Sequence, residues 1–323
     1  MFTAHALDEI PEGFGPSALT VGNFDGVHLG HTRILQQVVE IARARSWKAV
    51  VLTFDPHPTK IVAPERAPRL LTTLPTRLLL LQQAGLDAVL VLPFTTEIAR
   101  LAPEEFVRAI LVEKLHARAI VVGGNFRFGR GQAGNVETLK ICGARYGFDV
   151  HVVEPVVVQG KTVSSTLLRR LISEGAVSQA ARALGRAFAV QGRVIRGHGV
   201  GSRQTVPTLN LAPDTELLPA RGVYSTCTRD PDSARSWPSV TNVGYRPTFG
   251  GTDLSVETFL LRPLAGRDPV QLSIEFWHRL RDEKKFPTPE DLRQQILRDV
   301  AATEKLFRRL QGSPKAQITK EVV

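Results

Sequence analysis

The sequence predicts two domains: an N-terminal α/β domain around a parallel sheet, and a smaller C-terminal antiparallel β-barrel that ends in a long helix. Between residues 18 and 156, apolar segments alternate with amphipathic ones, which is typical of a parallel sheet covered by helices on both faces. Further on, short β-rich segments are separated by Gly and Pro, which favours a small barrel. A chain of 323 residues exceeds what one core usually supports, which favours two domains. The strand–helix alternation ends near Arg186, so we place the domains at 1–186 and 187–323.

The elements of the first domain follow from aliphatic runs and helical periodicity. In sheets of this kind, ligands bind beyond the carboxyl ends of the strands, so the loops that follow strands are the candidate sites. The predicted strands are 18–21, 49–54, 88–92, 119–122 and 150–153, and the predicted helices lie around 31–45, 76–84, 103–115, 135–146, 165–174 and 177–184.

The second domain is predicted from segments in which apolar residues alternate with polar ones. Its last element is an amphipathic helix, with Leu292, Ile296, Val300 and Leu306 on one face. The predicted strands are 188–195, 223–228, 239–243, 255–261 and 270–276, and the helix runs from about 289 to 310.

The segment 22–31, Gly-Asn-Phe-Asp-Gly-Val-His-Leu-Gly-His, joins the first strand to the first helix. His28 and His31 are three apart and therefore share a helix face. The N–H groups and dipole at a helix start favour anions, and imidazoles add hydrogen-bond donors. A glycine-rich turn with two surface histidines is the simpler alternative. A zinc site is less favoured, because the spacing supplies two ligands and no third.

Two further loops follow predicted strands. Asp55-Pro56-His57-Pro58 comes after the second strand, and its prolines predict a rigid turn that holds the polar residues at the rim. The segment 123–129, Gly-Gly-Asn-Phe-Arg-Phe-Gly, comes after the fourth strand. Both loops are expected at the same edge as the paired histidines.

Three hydroxyl residues, Ser164, Ser165 and Thr166, open a predicted helix, and Arg169 follows one turn later. One such residue is explained as a helix cap. Three together with an arginine suit a pyrophosphate better, since hydroxyls and helix N–H groups donate and the guanidinium binds two oxygens.

In the second domain, the segment 197–210 is rich in glycine and ends on an extended strand. Its glycines, Gly199 and Gly201 among them, suit a flexible connection as well as a phosphate cradle. Thr208 and Asn210 lie two apart, on the same side of a strand, and their oxygens suit Mg²⁺ bound with ATP phosphates.

Glu257 lies among apolar neighbours in a predicted strand, where a half-buried carboxylate would suit a general base. Its alternative is a surface glutamate on an edge strand. Arg281 precedes the last helix, where it would contact nucleotide or flavin, or else form a salt bridge at the start of the helix.

Composition limits the partners. The 41 Lys and Arg against 31 Asp and Glu give a net charge of +10, which suits either nucleic acid or polyanionic small molecules. Scattered arginines and few aromatic residues favour small molecules.

Cys142 and Cys227 fall in different halves, which argues against a disulfide framework. With no apolar run of membrane-spanning length and no signal-peptide pattern, we expect a cytoplasmic protein that does not bind a membrane. We also expect no nucleic-acid partner, and a basic nucleic-acid-binding protein is the alternative from another class.

These motifs, in this order, resemble those of the bifunctional riboflavin kinase/FAD synthetase family. The segments 22–31, 53–58, 123–129 and 163–169 are similar to its adenylyltransferase motifs, whereas 197–210, 222–224, 242–257 and 279–286 are similar to its kinase motifs. This chain has Asn125 where the family often has Asp and Leu167 where an arginine is common. Thr205-Val206 and Leu209 also depart from the kinase pattern, so an enzyme without kinase activity is the alternative within the family.

The resemblance implies a Rossmann-like nucleotidylyltransferase domain followed by a kinase barrel, with riboflavin, FMN and ATP as substrates and Mg²⁺ bound with ATP. It implies Glu257 as the catalytic base and Thr208 and Asn210 as metal ligands. The remaining implied roles fall into two groups: His28, His31, Gly22, Asn23, Phe24, Asp25, Gly30, Ser164, Ser165, Thr166, Arg169, Gly199 and Gly201 at phosphates, and His57, Pro58, Asn125, Phe126, Arg127, Phe128 and Arg281 at the flavin.

Overall fold

The computed structural model describes residues 1–195, 208–233, 235–248, 251–264 and 268–311. It divides into two compact units, Met1–Ser165 and Thr166–Val323. The predicted fold class is confirmed in both: a parallel sheet with helices in the first unit, and an antiparallel barrel with a long final helix in the second.

The first unit is built on a six-stranded sheet in the order β1-β4-β3-β2-β5-β6, with every neighbouring pair parallel. The chain proceeds outward from β2 through β3 to β4, and then crosses to the other side of β2 to form β5 and β6. This reversal places the loops after β2 and β5 beside a topological switch point, where ligands of such sheets bind. The strands are β1 (Phe2–Ala4), β2 (Ser17–Val21), β3 (Lys48–Asp55), β4 (Ala88–Pro93), β5 (Ala117–Gly123) and β6 (Asp149–Val153).

Helices cover both faces of this sheet, because the strands are apolar on both sides. One core packs Leu35, Val38 and Leu81 on the sheet, and the other packs Phe106 and Leu139 on the opposite face. The predicted helix at 103–115 is a short α-helix that continues into a π-helical turn at Val107–Val112. The helices are α1 (Leu29–Arg45), α2 (Pro58–Val62), α3 (Leu74–Gln83), α4 (Thr96–Arg100), α5 (Pro103–Phe106) and α6 (Val136–Tyr146), followed by a hairpin of β7 (Val157–Val158) and β8 (Lys161–Thr162).

The second unit is a closed six-stranded barrel in the order β10-β13-β12-β11-β14-β9, with all pairs antiparallel. Helices pack on its outside: Ser178 Oγ donates to Trp277 O at 2.7 Å, and the hydroxyls of Ser225 and Thr303 lie 2.8 Å apart. The elements are α7 (Ser165–Ser173), α8 (Val177–Leu184), β9 (Phe188–Ile195), β10 (Thr208–Pro213), β11 (Gly222–Arg229), β12 (Ser236–Thr248), β13 (Gly251–Leu260), β14 (Gln271–Arg281) and α9 (Pro289–Gln311).

The barrel interior contains a chain of hydroxyl groups as well as apolar side chains. Thr226 Oγ1 lies 2.8 Å from Ser239 Oγ and 2.7 Å from Thr241 Oγ1, and Thr241 Oγ1 donates to Thr258 Oγ1 at 2.9 Å. Thr228 Oγ1 completes the cluster through Ser239 and Thr258. All five residues have no exposed surface, so each hydroxyl satisfies another.

Candidate active sites

The loop from β2 to α1 brings the two predicted histidines together. His28 is the N-cap of α1: its Nδ1 accepts a hydrogen bond from the backbone N–H of His31 at 3.2 Å. The two imidazole rings stack, with centroids 3.7 Å apart and planes 14° apart. Because Nδ1 accepts, a neutral His28 carries its proton on Nε2, and this nitrogen is the donor that the ring can offer.

Gly30 leaves room for the His28 ring, and the backbone of this loop adopts unusual conformations. A Cβ at Gly30 would lie 3.1 Å from His28 Cε1 and 3.2 Å from its Nδ1, so a larger residue would press on the imidazole. Phe24 and Val27 have φ of +49° and +35°, a region that non-glycine residues rarely occupy. Backbone held in this way is common at ligand-binding sites.

Asp25 holds the loop from inside. Only 2% of the residue is exposed, and its carboxylate accepts the Leu71 N–H at 3.0 and 3.1 Å, the Thr72 N–H at 3.1 Å and the Thr72 hydroxyl at 3.2 Å. The Gly26 N–H donates to Thr72 Oγ1 at 3.1 Å. These bonds commit Asp25 to ordering the loop, a task that the sequence motif did not indicate.

The second motif lies against the first. Asn23 Nδ2 is 3.1 Å from His57 Nε2, and His57 Nδ1 accepts the Thr59 N–H at 3.2 Å as the N-cap of α2. The Asp55 side chain at the end of β3 is 44% exposed. The first unit thus places the segments around Asn23 and His57 side by side, as expected from neighbouring parallel strands.

The third motif presents aromatic rings next to exposed polar side chains. The Phe126 and Phe128 rings stack with centroids 5.3 Å apart and planes 18° apart. Phe128 is buried against Phe106, whereas Asn125 and Arg127 are exposed. The segment therefore places the half-buried Phe126 ring beside exposed hydrogen-bonding groups.

The fourth motif begins in the first unit. Ser165 Oγ donates to Asp25 O at 3.0 Å, a hydrogen bond within the first unit. Ser164 is half-buried beside it in the chain. Thr166 and Arg169 follow on α7, where the second unit begins.

The barrel places the predicted kinase residues in one row across three strands. Asn210 of β10 pairs with Glu257 of β13, and Glu257 pairs with Asn242 of β12. Directly opposite residues of antiparallel strands point to the same face. The chain neighbours of Glu257, Val256 and Thr258, are buried in the barrel, so the row faces outward, and Glu257 is half-buried as predicted.

Asn210 has the features of a metal ligand. It is 6% exposed, and its buried Oδ1 has no hydrogen-bond partner in the part of the chain that the structure describes. An exposed hydroxyl, that of Thr208, precedes it by two residues on β10. Oxygen ligands of this kind fit Mg²⁺. Gly199, Gly201, Thr205 and Val206 lie outside the described residues.

Arg281 forms a salt bridge with the last helix, which was the alternative to a contact with nucleotide or flavin. Its Nη2 and Nε donate to Asp299 Oδ2 of α9 at 2.9 and 3.0 Å, and the Gln295 amide donates to Asp299 Oδ1 at 2.9 Å. The two ionic side chains are 19% and 6% exposed. Arg281 therefore fastens the final helix to β14.

We expect Arg281→Met to lower the free energy of unfolding by about 3 kcal/mol, because it leaves the buried Asp299 carboxylate without its cation. Chemical denaturation followed by circular dichroism measures this loss, and the exposed Arg293→Met on the same helix is the control. A stable variant whose KM for riboflavin rises steeply would instead identify Arg281 as a flavin contact.

These features define a class of protein: a two-module transferase, with a pair of stacked histidines in a loop at the switch point of a parallel sheet and a carboxylate–amide row on a small barrel. Family models agree, since residues 11–167 match FAD synthetase and residues 184–307 match riboflavin kinase. The chain belongs to the family of bifunctional riboflavin kinases/FMN adenylyltransferases, and its substrates are riboflavin, FMN and ATP.

Two relatives illustrate the similarity. The chain is 34% identical over 304 residues to the bifunctional riboflavin kinase/FMN adenylyltransferase of Escherichia coli K12, which covers 94% of this chain and 96% of that protein. It is 36% identical over 294 residues to the Pseudomonas fluorescens enzyme, covering 89% and 92%.

A solved structure shares the fold over nearly the whole chain. It is a crystal structure described as a macrolide-efflux protein from Streptococcus pneumoniae, with a TM-score of 0.84 and 25% identity, covering 94% of this chain and 98% of that one. In the described ranges, the helices of the present protein include none with the length and apolar character needed to cross a bilayer. The cytoplasmic location stays a prediction.

Proposed function

We propose that FMN adenylylation takes place at the loop between β2 and α1. The stacked pair of His28 and His31 at the start of α1 carries this assignment, because it concentrates imidazole donors where a helix already favours anions. In this proposal the two imidazoles contact the ATP phosphates, and Gly22, Asn23, Phe24 and Gly30 supply close backbone approach. Asp25 acts through its hold on the loop.

The chemistry asks the protein mainly for alignment and charge neutralisation. A phosphate oxygen of FMN attacks the α-phosphorus of ATP, a new P–O bond forms, and pyrophosphate leaves. The nucleophile is already an anion, so no protein base is required. Ser164, Ser165, Thr166 and Arg169 are proposed to hold the leaving pyrophosphate.

The third motif and the turn at His57 are proposed to bind the flavin. The half-buried Phe126 ring, which stacks on the buried Phe128, gives an aromatic face against which an isoalloxazine ring can pack. Asn125 and Arg127 are exposed beside them and can donate hydrogen bonds. Pro58 is the first residue of α2 and shapes the turn that follows His57.

For the kinase, we propose that Glu257 is the general base. It takes the proton of the riboflavin 5′-hydroxyl while that oxygen attacks the γ-phosphorus of ATP, giving FMN and ADP. Thr208 and Asn210 would hold Mg²⁺, which when bound offsets the negative charge of the phosphates. The buried Oδ1 of Asn210 supports this assignment, as does its place opposite Glu257. The loop with Gly199 and Gly201 is proposed to cover the phosphates.

The two activities can be separated by cutting the chain. We expect a fragment of residues 187–323 to phosphorylate riboflavin without converting FMN to FAD, because the barrel begins at Phe188. A fragment of residues 166–323 should be more stable, since it keeps Ser178 on Trp277 O. Chromatography of products after incubation with riboflavin, ATP and Mg²⁺ measures both activities. FAD formation by either fragment, or inactive fragments that remain folded, would contradict the assignment.

A further inference from the structure

Arg77 is a buried cation outside all of the motifs described above. It lies on α3 and is 2% exposed. Its Nη1 donates to Asn23 O at 2.8 Å and to Phe54 O at 3.4 Å, and its Nη2 is 3.6 Å from Asp55 Oδ1. One guanidinium therefore touches both the first loop and the end of the strand that leads to His57.

Arg77 fixes the direction of one peptide group in the first loop. The Asn23 carbonyl accepts from Arg77 and also from Thr53 Oγ1, the latter at 3.2 Å. In a planar trans peptide the C=O and N–H point in opposite directions, so the Phe24 N–H points away from Arg77. Within the described residues this N–H has no acceptor. We call the hydrogen bond from Arg77 to Asn23 O the clamp. By fixing this peptide group, the clamp directs the Phe24 N–H to the far side, as in anion-binding loops.

The positive charge of Arg77 lies next to the loop at which we propose that phosphates bind. Burial lowers the pKa of its guanidinium, and the carboxylates of Asp25 and Asp55 oppose that shift. Its buried Nε has no hydrogen-bond partner among the described residues. A buried donor without a partner lowers the stability of the fold, so holding a carbonyl does not by itself account for an arginine here. A fixed positive charge next to the loop would, however, favour the charge that develops on phosphate oxygens.

We propose that Arg77 is a positioning residue for FMN adenylylation. It holds the Asn23–Phe24 peptide and the Asp55 end of β3 in one geometry, so that the loop donors and the His57 turn meet the triphosphate and flavin together. The inference rests on the proposed function of the first unit.

The test compares full-length variants with Mg²⁺ and ATP, starting once from FMN and once from riboflavin. Arg77→Met removes the donors and the charge, and Arg77→Lys keeps the charge and one donor. Arg43→Met is the matched control, because Arg43 forms a half-exposed ion pair with Asp87 in the same unit. The double variant His28→Ala/His31→Ala tests the proposed function separately.

We expect kcat for FAD formation to fall by roughly 10²-fold in Arg77→Met, the scale of a small misplacement of reacting groups. FMN formation and the KM for riboflavin should stay at the parent values, and Arg77→Lys should recover part of the loss. If Arg77→Met does not fold, Arg77→Lys is the variant that tests the proposal. A lowered kcat for FAD formation, with the KM for riboflavin at the parent value, supports it.

Two results would overturn it. Parent-like FAD formation in a folded Arg77→Met, or in Arg77→Lys when Arg77→Met does not fold, would show that the clamp does not position the site. A loss in Arg77→Met that matches that in Arg43→Met would indicate a general effect of removing an arginine. If the double histidine variant keeps FAD formation, the proposed site itself is wrong, and that outcome is distinct from both.

Discussion

Replacing Glu257 by Gln is expected to lower riboflavin phosphorylation by roughly 10²- to 10⁴-fold, the usual share of general-base catalysis. Glutamine keeps the shape of the side chain in the row between Asn210 and Asn242, but it cannot take the hydroxyl proton. Conversion of supplied FMN to FAD should continue near the parent rate, because a phosphate nucleophile needs no base. Paired initial rates on one preparation measure both effects.

The control for Glu257→Gln is Glu275→Gln, which removes a different carboxylate of the same barrel, one paired with Arg229 at 2.6 Å. It should leave the kinase rate at the parent level in folded protein. Near-parent phosphorylation in Glu257→Gln would make this residue an ordinary surface glutamate of β13. An equal fall in both rates would indicate damage to folding.

The double variant His28→Ala/His31→Ala is expected to abolish FAD formation while FMN formation continues. Losing one preorganised donor to a developing oxyanion costs roughly 10²- to 10³-fold, and this variant removes the stacked pair. The same paired assay, started from FMN and from riboflavin, measures the difference.

Removing His28 also removes the N-cap of α1, which lowers stability by about 1 kcal/mol. Asn135→Ala is the matched control, since Asn135 caps α6 of the same unit through the Thr138 N–H at 2.9 Å. This control should keep both activities. Loss of both activities in the folded double histidine variant would refute the assignment to separate sites.

The fold could be predicted because its strands are apolar runs and its helices have clear periodicity. The strand β1 was missed, since three residues at the edge of the sheet pair with β4 without a pattern of their own. The π-helical turn at Val107–Val112 was missed as well, because it shares the apolar spacing of a helix. Both differences are local and leave the sheet order unchanged.

The candidate sites were predictable where a motif carries the chemistry in adjacent residues. The pairing of His28 with His31, and the position of Glu257 in a strand, follow from short-range spacing. The groups that hold the loop between β2 and α1 were not predictable. Arg77 and the Leu71 N–H contact this loop across 54 and 46 residues of sequence. These contacts also involve backbone atoms, which carry no sequence signal. Sequence therefore indicates the reacting groups better than the groups that hold them.

The hydroxyl chain inside the barrel constrains how this protein can diverge. Replacing Thr241 alone by Val would remove one hydrogen bond from each of the Thr226 and Thr258 hydroxyls, at a cost of about 0.5–1.5 kcal/mol per bond. Replacing linked positions together removes donor and acceptor at once and can be nearly neutral. These positions are therefore expected to evolve as a coupled set, with strong epistasis, so that related barrels keep the whole hydroxyl chain or lose it together.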